Sequence, residues 1–395
     1  MSIECNCISL GEINRYIIFI IIGAIFMAGT SVIANDSKFF NPENFYVIIY
    51  TIANSLGLSL SFILLIIYKK YNKENKGNKL ELISPLKNQN IKKKKKEKFF
   101  WILFVSIIDF ISTIFSFLLY KQIYSLFIFW TSDFLFLYLF SYIIFKVKLQ
   151  KHHYLSIITI MILGLLYDIK AEKFTYVNFK NNYLVVIYYI IQKLFVDFSY
   201  ILYKYYMINK YIIFHEIMFY EGIIELILSI ITLIITTNIG YLDNFWDYYN
   251  NLDSKEILII ILLIIFLFIY NFMKFKIIEI YLPYHILLLT TLYILIMHFI
   301  NFDTSNIIVS IVALILILIC FIMILIFVEI IELNCFGLSY MTKKNIKNRA
   351  QFDSVLANIE GDNDSRIDYQ DYLIDLNDRK LSEMTIIEPK SFNDE

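Results

Sequence analysis

Apolar residues are concentrated in ten long blocks along the chain, and shorter polar segments separate these blocks. They cover residues 14–34, 44–68, 99–120, 123–145, 152–168, 183–204, 213–237, 257–273, 282–300 and 305–331. An α-helix needs roughly 20 apolar residues to cross the hydrocarbon core of a bilayer. The pattern therefore predicts an all-α membrane protein with about ten transmembrane helices. The fifth and eighth blocks are short, so whether these two cross the bilayer fully is left open.

The composition changes this picture little. Hydrophobic residues make up 59% of the 395 residues, whereas soluble domains contain about 45–50%. Because the excess lies in continuous blocks, it excludes one large water-soluble domain. The net charge is zero, but lysines crowd into residues 69–98 and acids into residues 332–395. We interpret the lysine-rich segment as a disordered connector and the acidic segment as a flexible tail.

The lysines predict how the chain is oriented in the membrane. Loops on the cytosolic side of membrane proteins carry an excess of lysine and arginine. When the loops after the even-numbered blocks are placed in the cytosol, they contain most of the loop lysines, with Lys204, Lys274 and Lys276 counted among them. This arrangement places both termini in the cytosol.

The third block contains a polar stripe centred on Asp109. Ser106, Asp109, Ser112, Thr113 and Ser116 recur at spacings of three and four, so they share one helix face. A carboxylate at bilayer depth costs about 2.5–3.5 kcal/mol on insertion scales, which makes it a candidate functional group facing a cavity. The alternative is that the hydroxyl groups only bond to their own helix.

Other polar side chains within the blocks are candidates for the same cavity. Lys193 and Asp197 are four residues apart and could neutralise one another, in a role that is either functional or purely structural. Glu221 and Glu225 have the same spacing. The full set of candidate substrate-path residues is Asn54, Asp109, Ser112, Thr113, Asp133, Gln192, Lys193, Asp197 and Glu221.

No motif in the sequence indicates catalysis or metal binding. A P-loop, a G-x-S-x-G nucleophile motif and an H-E-x-x-H zinc motif are all missing from the sequence. We therefore predict no catalytic residue, no metal site and no cofactor, and we expect neither an enzyme nor a nucleic-acid partner.

Four sites in the sequence carry a resemblance to a known family. They are Asp109 with Ser112-Thr113, the segment 145–149 with 152–155, Tyr220-Glu221-Gly222, and the segment 329–331 with 333–338 and 342–345. Each is similar to a helix or helix exit of the drug/metabolite transporter superfamily, EamA-like, in its solute-carrier branch near the nucleotide-sugar transporters. The resemblance covers about residues 14–350.

This resemblance implies two inverted five-helix repeats around a central cavity. The repeats would be residues 14–168, including the cytosolic loop 69–98, and residues 183–331. A cytosolic N-terminus at 1–13, a non-cytosolic loop at 169–182 and a cytosolic acidic tail at 332–395 complete the arrangement. Thr131-Ser132-Asp133 replaces the branch's Arg-Gly, and only Asp197 lies near its paired glutamates. An anionic, nucleotide-like substrate therefore does not carry over.

We expect a secondary transporter that moves a small polar metabolite by alternating access across an endomembrane (Golgi, vacuole or lysosome-like) or the plasma membrane. One carboxylate could couple transport to protons, because an apolar site favours the neutral form of a carboxyl group. A non-transporting membrane scaffold or channel is the first alternative, and a membrane-embedded lipid-modifying enzyme is the second. The partners would be the solute and the bilayer, and a homodimer is left open.

Overall fold

A computed structural model describes residues 8–10, 17–36, 46–75, 85–119, 127–145, 151–170, 183–209, 212–238, 253–301, 307–328 and 330–333. Long α-helices account for nearly all of these residues, because a helix satisfies its own backbone hydrogen bonds where no water is present. They are α1 (Ile17–Asp36), α2 (Tyr46–Ser59), α3 (Ser61–Asn75), α4 (Pro85–Leu119), α5 (Phe127–Phe145), α6 (Lys151–Lys170), α7 (Tyr183–Asn209), α8 (Phe214–Asn238), α9 (Ser254–Ile280), α10 (Ile286–Ile300) and α11 (Ile307–Phe327).

Among the residues that the structure describes, six helical stretches are long and apolar enough to cross a membrane. They are Ile48–Tyr68, Glu97–Phe115, Phe214–Asn238, Ser254–Ile280, Pro283–Ile300 and Ile307–Phe327. Two shorter apolar helices, Ile17–Ile33 and Asp133–Phe145, accompany them. The helical class is thus confirmed, and the six stretches are consistent with a multi-pass membrane protein. The finer count of ten spans stays a prediction.

The surface of the helices is apolar to a degree that is unusual for a water-soluble protein, and several charged side chains are buried. Large apolar side chains face outward along the helices, with Ile308 77% exposed and Ile143 61% exposed. Charged side chains lie inside, among them Asp197, Lys204 and Glu221, each no more than 1% exposed. Soluble proteins almost never bury unpaired charges or expose so many apolar groups. A lipid environment accounts for both observations.

The helix contacts follow a regular scheme. Helix α1 packs against α9 and α10, and α7 packs in the same way against α4 and α5. Helix α2 packs against α9, and α8 packs against α4. Helices α2 and α8 also pack against each other. This set of contacts is unchanged when α1 is exchanged with α7, α2 with α8, α4 with α9, and α5 with α10.

Helices α2 and α8 approach each other closely at Gly222. A Cβ atom at this position would lie 2.6 Å from the backbone nitrogen of Ser59 and 2.8 Å from the carbonyl oxygen of Ser55. No side chain fits without moving the backbone. Gly222 therefore sets the distance between the two helices, next to the buried residue Glu221.

The chain divides into two compact units. One contains residues 14–148 and 157–324, and it includes the apolar core around Leu263 and Leu267. The other contains residues 1–13, 149–156 and 325–395. In the described part of this second unit, strand β1 (Ile8–Leu10) pairs antiparallel with strand β2 (Ile331–Leu333), and Ile8 lies opposite Leu333.

The eighth span is longer than the sequence indicates. The apolar block ends before Lys274, yet helix α9 continues to Ile280 and contains 27 residues. Within this extension the Lys274 ammonium lies over the rings of Phe275 and Tyr200, at 5.2 and 5.4 Å from their centroids. A lysine held against aromatic rings need not mark the end of a span.

Three lysines assigned to cytosolic loops lie inside helices α7 and α9 instead, namely Lys204, Lys274 and Lys276. Lys204 is 1% exposed and donates to the backbone oxygen of Glu279 at 2.8 Å, and Lys274 is 7% exposed. Their assignment as loop residues is wrong. The lysines of residues 69–98 still support a cytosolic loop.

The expected disorder of residues 69–98 is wrong for most of that segment. Helix α3 continues to Asn75, and α4 already begins at Pro85. Lysine, glutamate and glutamine are good helix formers, and the adjoining spans supply the helix nucleus. Residues 76–84, the connection Lys121-Gln122, residues 171–182 and residues 334–395 lie outside the described part of the chain.

Candidate functional site

Three carboxylates from two helices come together in the interior. Asp109 of α4 meets Glu221 and Glu225 of α8, and one carboxylate oxygen of each lies within 4.8 Å of the others. Glu221 and Glu225 are one helical turn apart and therefore project from the same face. Both glutamates are buried, whereas Asp109 is partly exposed. We call these three residues the acidic cluster.

Helix α7 holds two members of the acidic cluster in place. The Tyr203 hydroxyl donates to Glu221 Oε1 at 2.6 Å. The Ser199 hydroxyl lies 3.1 Å from Asp109 Oδ1 and 2.7 Å from the backbone oxygen of Val196, so its one proton is shared between these two acceptors. Ser199 and Tyr203 are four residues apart and so share one face of α7. A hydrogen bond from a hydroxyl to a carboxylate is stronger than one between neutral groups. Helix α7 thus fixes carboxylates on both α4 and α8.

Part of the acidic cluster has no protein partner. Glu221 Oε2 and Glu225 Oε1 are buried and accept no hydrogen bond among the described residues. The nearby cation is Lys274, which is close enough to interact electrostatically with both glutamates. Its ammonium makes no described salt bridge and faces aromatic rings instead. The cluster thus has one nearby cation for three carboxyl groups.

A second group of charges contains a direct ion pair. The Lys193 ammonium of α7 forms a salt bridge with Asp133 Oδ2 of α5 at 2.8 Å. The same ammonium lies over the Tyr189 ring, 5.5 Å from its centroid. We call Asp133 and Lys193 the ion pair. Lys193 thus makes its salt bridge to another helix and not to Asp197, with which it interacts electrostatically.

Asp197 is buried beside the ion pair. It is 1% exposed, and its Oδ2 has no hydrogen-bond partner among the described residues. It interacts electrostatically with Lys193 and Asp133 without a salt bridge. The structure thus brings Asp133, Lys193 and Asp197 together, in a group distinct from the acidic cluster.

The hydroxyl groups of the polar stripe bond largely to their own helix. Ser112 and Thr113 donate to the backbone oxygen of Asp109 at 2.6 and 3.3 Å, and Ser106 donates to that of Ile102 at 2.9 Å. Serine and threonine hydroxyls commonly bond to the carbonyl three or four residues before them in a helix. These bonds fit the alternative that the hydroxyl groups bond to their own helix. Asp109 is the member of the stripe that the structure places in the acidic cluster.

The remaining candidates lie elsewhere in the interior. Asn54 of α2 accepts a hydrogen bond from Asn271 of α9, with 2.7 Å between its Oδ1 and the Asn271 Nδ2. Tyr293 of α10 and Ser31 of α1 share a hydroxyl contact of 3.0 Å. Gln192 is half-buried on α7, one residue before Lys193. These contacts join helices from the two halves of the sequence.

Sequence reasoning omitted several residues that form the site. Glu225 has the same spacing signal as Glu221 and could have been included on that basis. Tyr203, Ser199 and Asn271 carry no local signal, because their partners lie on other helices. Lys274 was taken for a loop residue because hydropathy alone ends the span before it.

No protein-family model matches this sequence, and no curated protein matches it. Function is therefore inferred from the residues of the chain and their arrangement.

Proposed function

We propose that the chain is a secondary transporter that carries a small polar metabolite by alternating access. The observation that supports this most is the exchange-symmetric set of helix contacts. Transporters of this kind are often built from two repeats that rock against each other around a site near the bilayer midplane. The contacts of α1, α2, α4 and α5 are matched by those of α7, α8, α9 and α10.

The proposed repeats are inverted relative to one another. A repeat with five spans ends on the opposite side of the membrane from where it begins, so a second such repeat has the opposite orientation. Taking α2 and α3 as one span, the two halves have this odd number. Helices α6 and α11 are the fifth spans of the two repeats in this proposal. A repeat of five spans agrees with the resemblance to drug/metabolite transporters.

The strand pair supports an even number of crossings. Ile8–Leu10 and Ile331–Leu333 lie side by side, so the chain between them starts and finishes on one side of the membrane. Ten crossings satisfy this condition, and nine do not. The lysine-rich segment 69–98 favours the cytosol for that side.

The position of the charges supports a polar path between the halves. The acidic cluster joins α4 of the first half to α8 of the second, and the ion pair joins α5 to α7. In a membrane interior, ionisable groups are expensive and typically mark the route of a substrate or ion. Asp109 is the candidate contact residue because it is the partly exposed member of the cluster.

Uptake by purified protein in proteoliposomes tests this proposal. The panel comprises nucleotide sugars, amino acids, peptides and cationic drugs, with and without a pH gradient. We expect saturable uptake of one class that is accelerated by the same compound inside the vesicle, and loss of that uptake in Asp109→Asn. Asp253→Asn is the matched control, since this exposed helix cap functions equally well with asparagine.

Two outcomes would contradict the transporter proposal. Flux that neither saturates nor responds to internal substrate would indicate a channel. No uptake by folded, inserted protein across the whole panel would favour a scaffold. Unchanged uptake and pH dependence in Asp109→Asn would remove this residue from the path and from proton coupling.

A further inference from the structure

We propose that the acidic cluster binds one divalent metal cation that prefers oxygen ligands. The inference concerns binding at Asp109, Glu221 and Glu225 and goes beyond the proposed transport of a metabolite. It does not require that the ion be transported. The site is therefore testable whether or not a transported solute is found.

The distances within the cluster suit a hard cation. Oxygens on opposite sides of Ca²⁺ are about 4.6–5.2 Å apart, since Ca–O distances are about 2.3–2.6 Å. The three carboxylate oxygens lie within 4.8 Å of one another. A single ion between them can contact all three with small side-chain adjustments. Because the ligands come from α4 and α8, they cannot be recognised from sequence spacing.

The charge of the cluster matches a divalent ion. Three carboxyl groups share the site with one neighbouring cation, Lys274, and full ionisation of the three would give a net charge of −2. Charges of one sign this close together are unstable in a medium of low dielectric constant. One divalent cation bound there would neutralise the ionised group, whereas Asp133 already has a cation bonded to it in Lys193.

The two unpartnered oxygens point to a ligand independently of the charge. Glu221 and Glu225 are 0% and 2% exposed, and each leaves one carboxylate oxygen without a hydrogen bond. The other oxygen of Glu221 is already held by Tyr203. Buried polar atoms are nearly always satisfied in native proteins, so these two atoms need a partner. One metal ion could take both oxygens as ligands.

The ligand set also selects the class of metal. Carboxylate oxygens favour Ca²⁺, Mn²⁺ and Mg²⁺, whereas Zn²⁺ and copper favour sites with imidazole or thiolate. The cluster contains neither histidine nor cysteine. Asp109, the partly exposed member, provides the side from which an ion can enter.

Metal binding to the full chain in lipid nanodiscs tests the inference. Mn²⁺ is followed by electron paramagnetic resonance, with Ca²⁺ and Mg²⁺ as competitors, at one fixed pH. We expect one site per chain, with affinity at least about tenfold weaker in Glu225→Gln and Asp109→Asn. Tyr203→Phe, which frees Glu221 from its orienting bond, is expected to weaken binding by about tenfold.

Asp197→Asn is the matched control, because it removes a buried carboxylate outside the acidic cluster and is expected to leave binding unchanged. Retention of Mn²⁺ affinity in both ligand variants would overturn the proposal. So would the lack of a stoichiometric site in folded wild-type protein, which would leave protons as the compensating charge. Loss of binding in Asp197→Asn alone would place the metal elsewhere. Each variant is first checked for a monodisperse elution profile. Because the two ligand variants change different helices, misfolding of one variant would not by itself account for a loss of binding in both.

Discussion

The acidic cluster and the ion pair are built from the same kinds of side chain but differ in how their charge is balanced. Lys193 bonds directly to Asp133 at 2.8 Å, so this carboxylate has a cation partner, although its Oδ1 accepts no described hydrogen bond. In the acidic cluster, Lys274 faces aromatic rings and two glutamate oxygens have no described partner. Burial of charge alone therefore does not identify a functional site. The difference between the two groups is that no described cation bonds directly to the acidic cluster.

The contrast assigns different roles to the two groups. The ion pair joins α5 to α7, and its carboxylate already has a cation bonded to it. An incomplete cluster is costly in the free protein and becomes favourable when a ligand completes it. The two groups should consequently respond to substitution in opposite directions.

Breaking the ion pair should have the largest effect. Lys193→Met leaves Asp133 buried without its partner, and we expect a loss of about 3–5 kcal/mol in the free energy of unfolding. Replacing both residues, as Lys193→Met with Asp133→Leu, should recover most of that loss. Thermal and denaturant unfolding in the same detergent measure both. Equal stability of the single and double variants would show that the pair is not coupled.

Removing the Tyr203 hydroxyl should have the next largest effect. In Tyr203→Phe, Glu221 loses its 2.6 Å hydrogen bond, at a cost of about 1.5–3 kcal/mol for a charged acceptor. Tyr293→Phe is the control, since it removes a hydroxyl contact with neutral Ser31, worth about 0.5–1.5 kcal/mol. A larger loss in the control would argue that the carboxylate does not depend on Tyr203.

Changing the distance between α2 and α8 should disturb the cluster but spare the ion pair. The Cβ of Gly222→Ala meets backbone atoms at 2.6 and 2.8 Å, so we expect a loss of about 1–3 kcal/mol and weaker Mn²⁺ binding. Gly57→Ala is milder, since its nearest contacts are at 3.1 Å. Unfolding and metal titrations of both variants check this. Full Mn²⁺ affinity in Gly222→Ala would separate the helix contact from the site.

Neutralising one glutamate should give the smallest change in the free energy of unfolding, and this change should be a gain where the preceding substitutions cause a loss. Glu225→Gln keeps the side-chain shape and removes one of three neighbouring negative charges, so without metal we expect stabilisation on the order of 1 kcal/mol. The same variant should lose the added thermal stability that Ca²⁺ or Mn²⁺ gives the wild type. Destabilisation in metal-free buffer would mean that the cluster is already balanced within the protein.

Several parts of this comparison follow from the sequence. Block hydropathy predicts where the helices lie, and charge within a block marks Asp109, Asp133 and Glu221 as interior residues. The salt-bridge partner of Lys193 does not follow from the sequence. The four-residue spacing points to Asp197, whereas the salt bridge is made with Asp133, sixty residues away in the chain. Local rules describe one helix, whereas the partner depends on how helices pack. The burial of Lys274 does not follow from the sequence either, since hydropathy scales do not include contacts with the rings of Tyr200 and Phe275.

The strand pair links the order of synthesis to the order of folding. Residues 8–10 leave the ribosome first, but their partner strand at 331–333 follows more than three hundred residues later. Every helix described above is made in the interval. Strand β1 keeps an open edge until nearly all of the membrane domain has been synthesised. The contact between the first and last described segments is therefore one that a chain truncated before residue 331 cannot make.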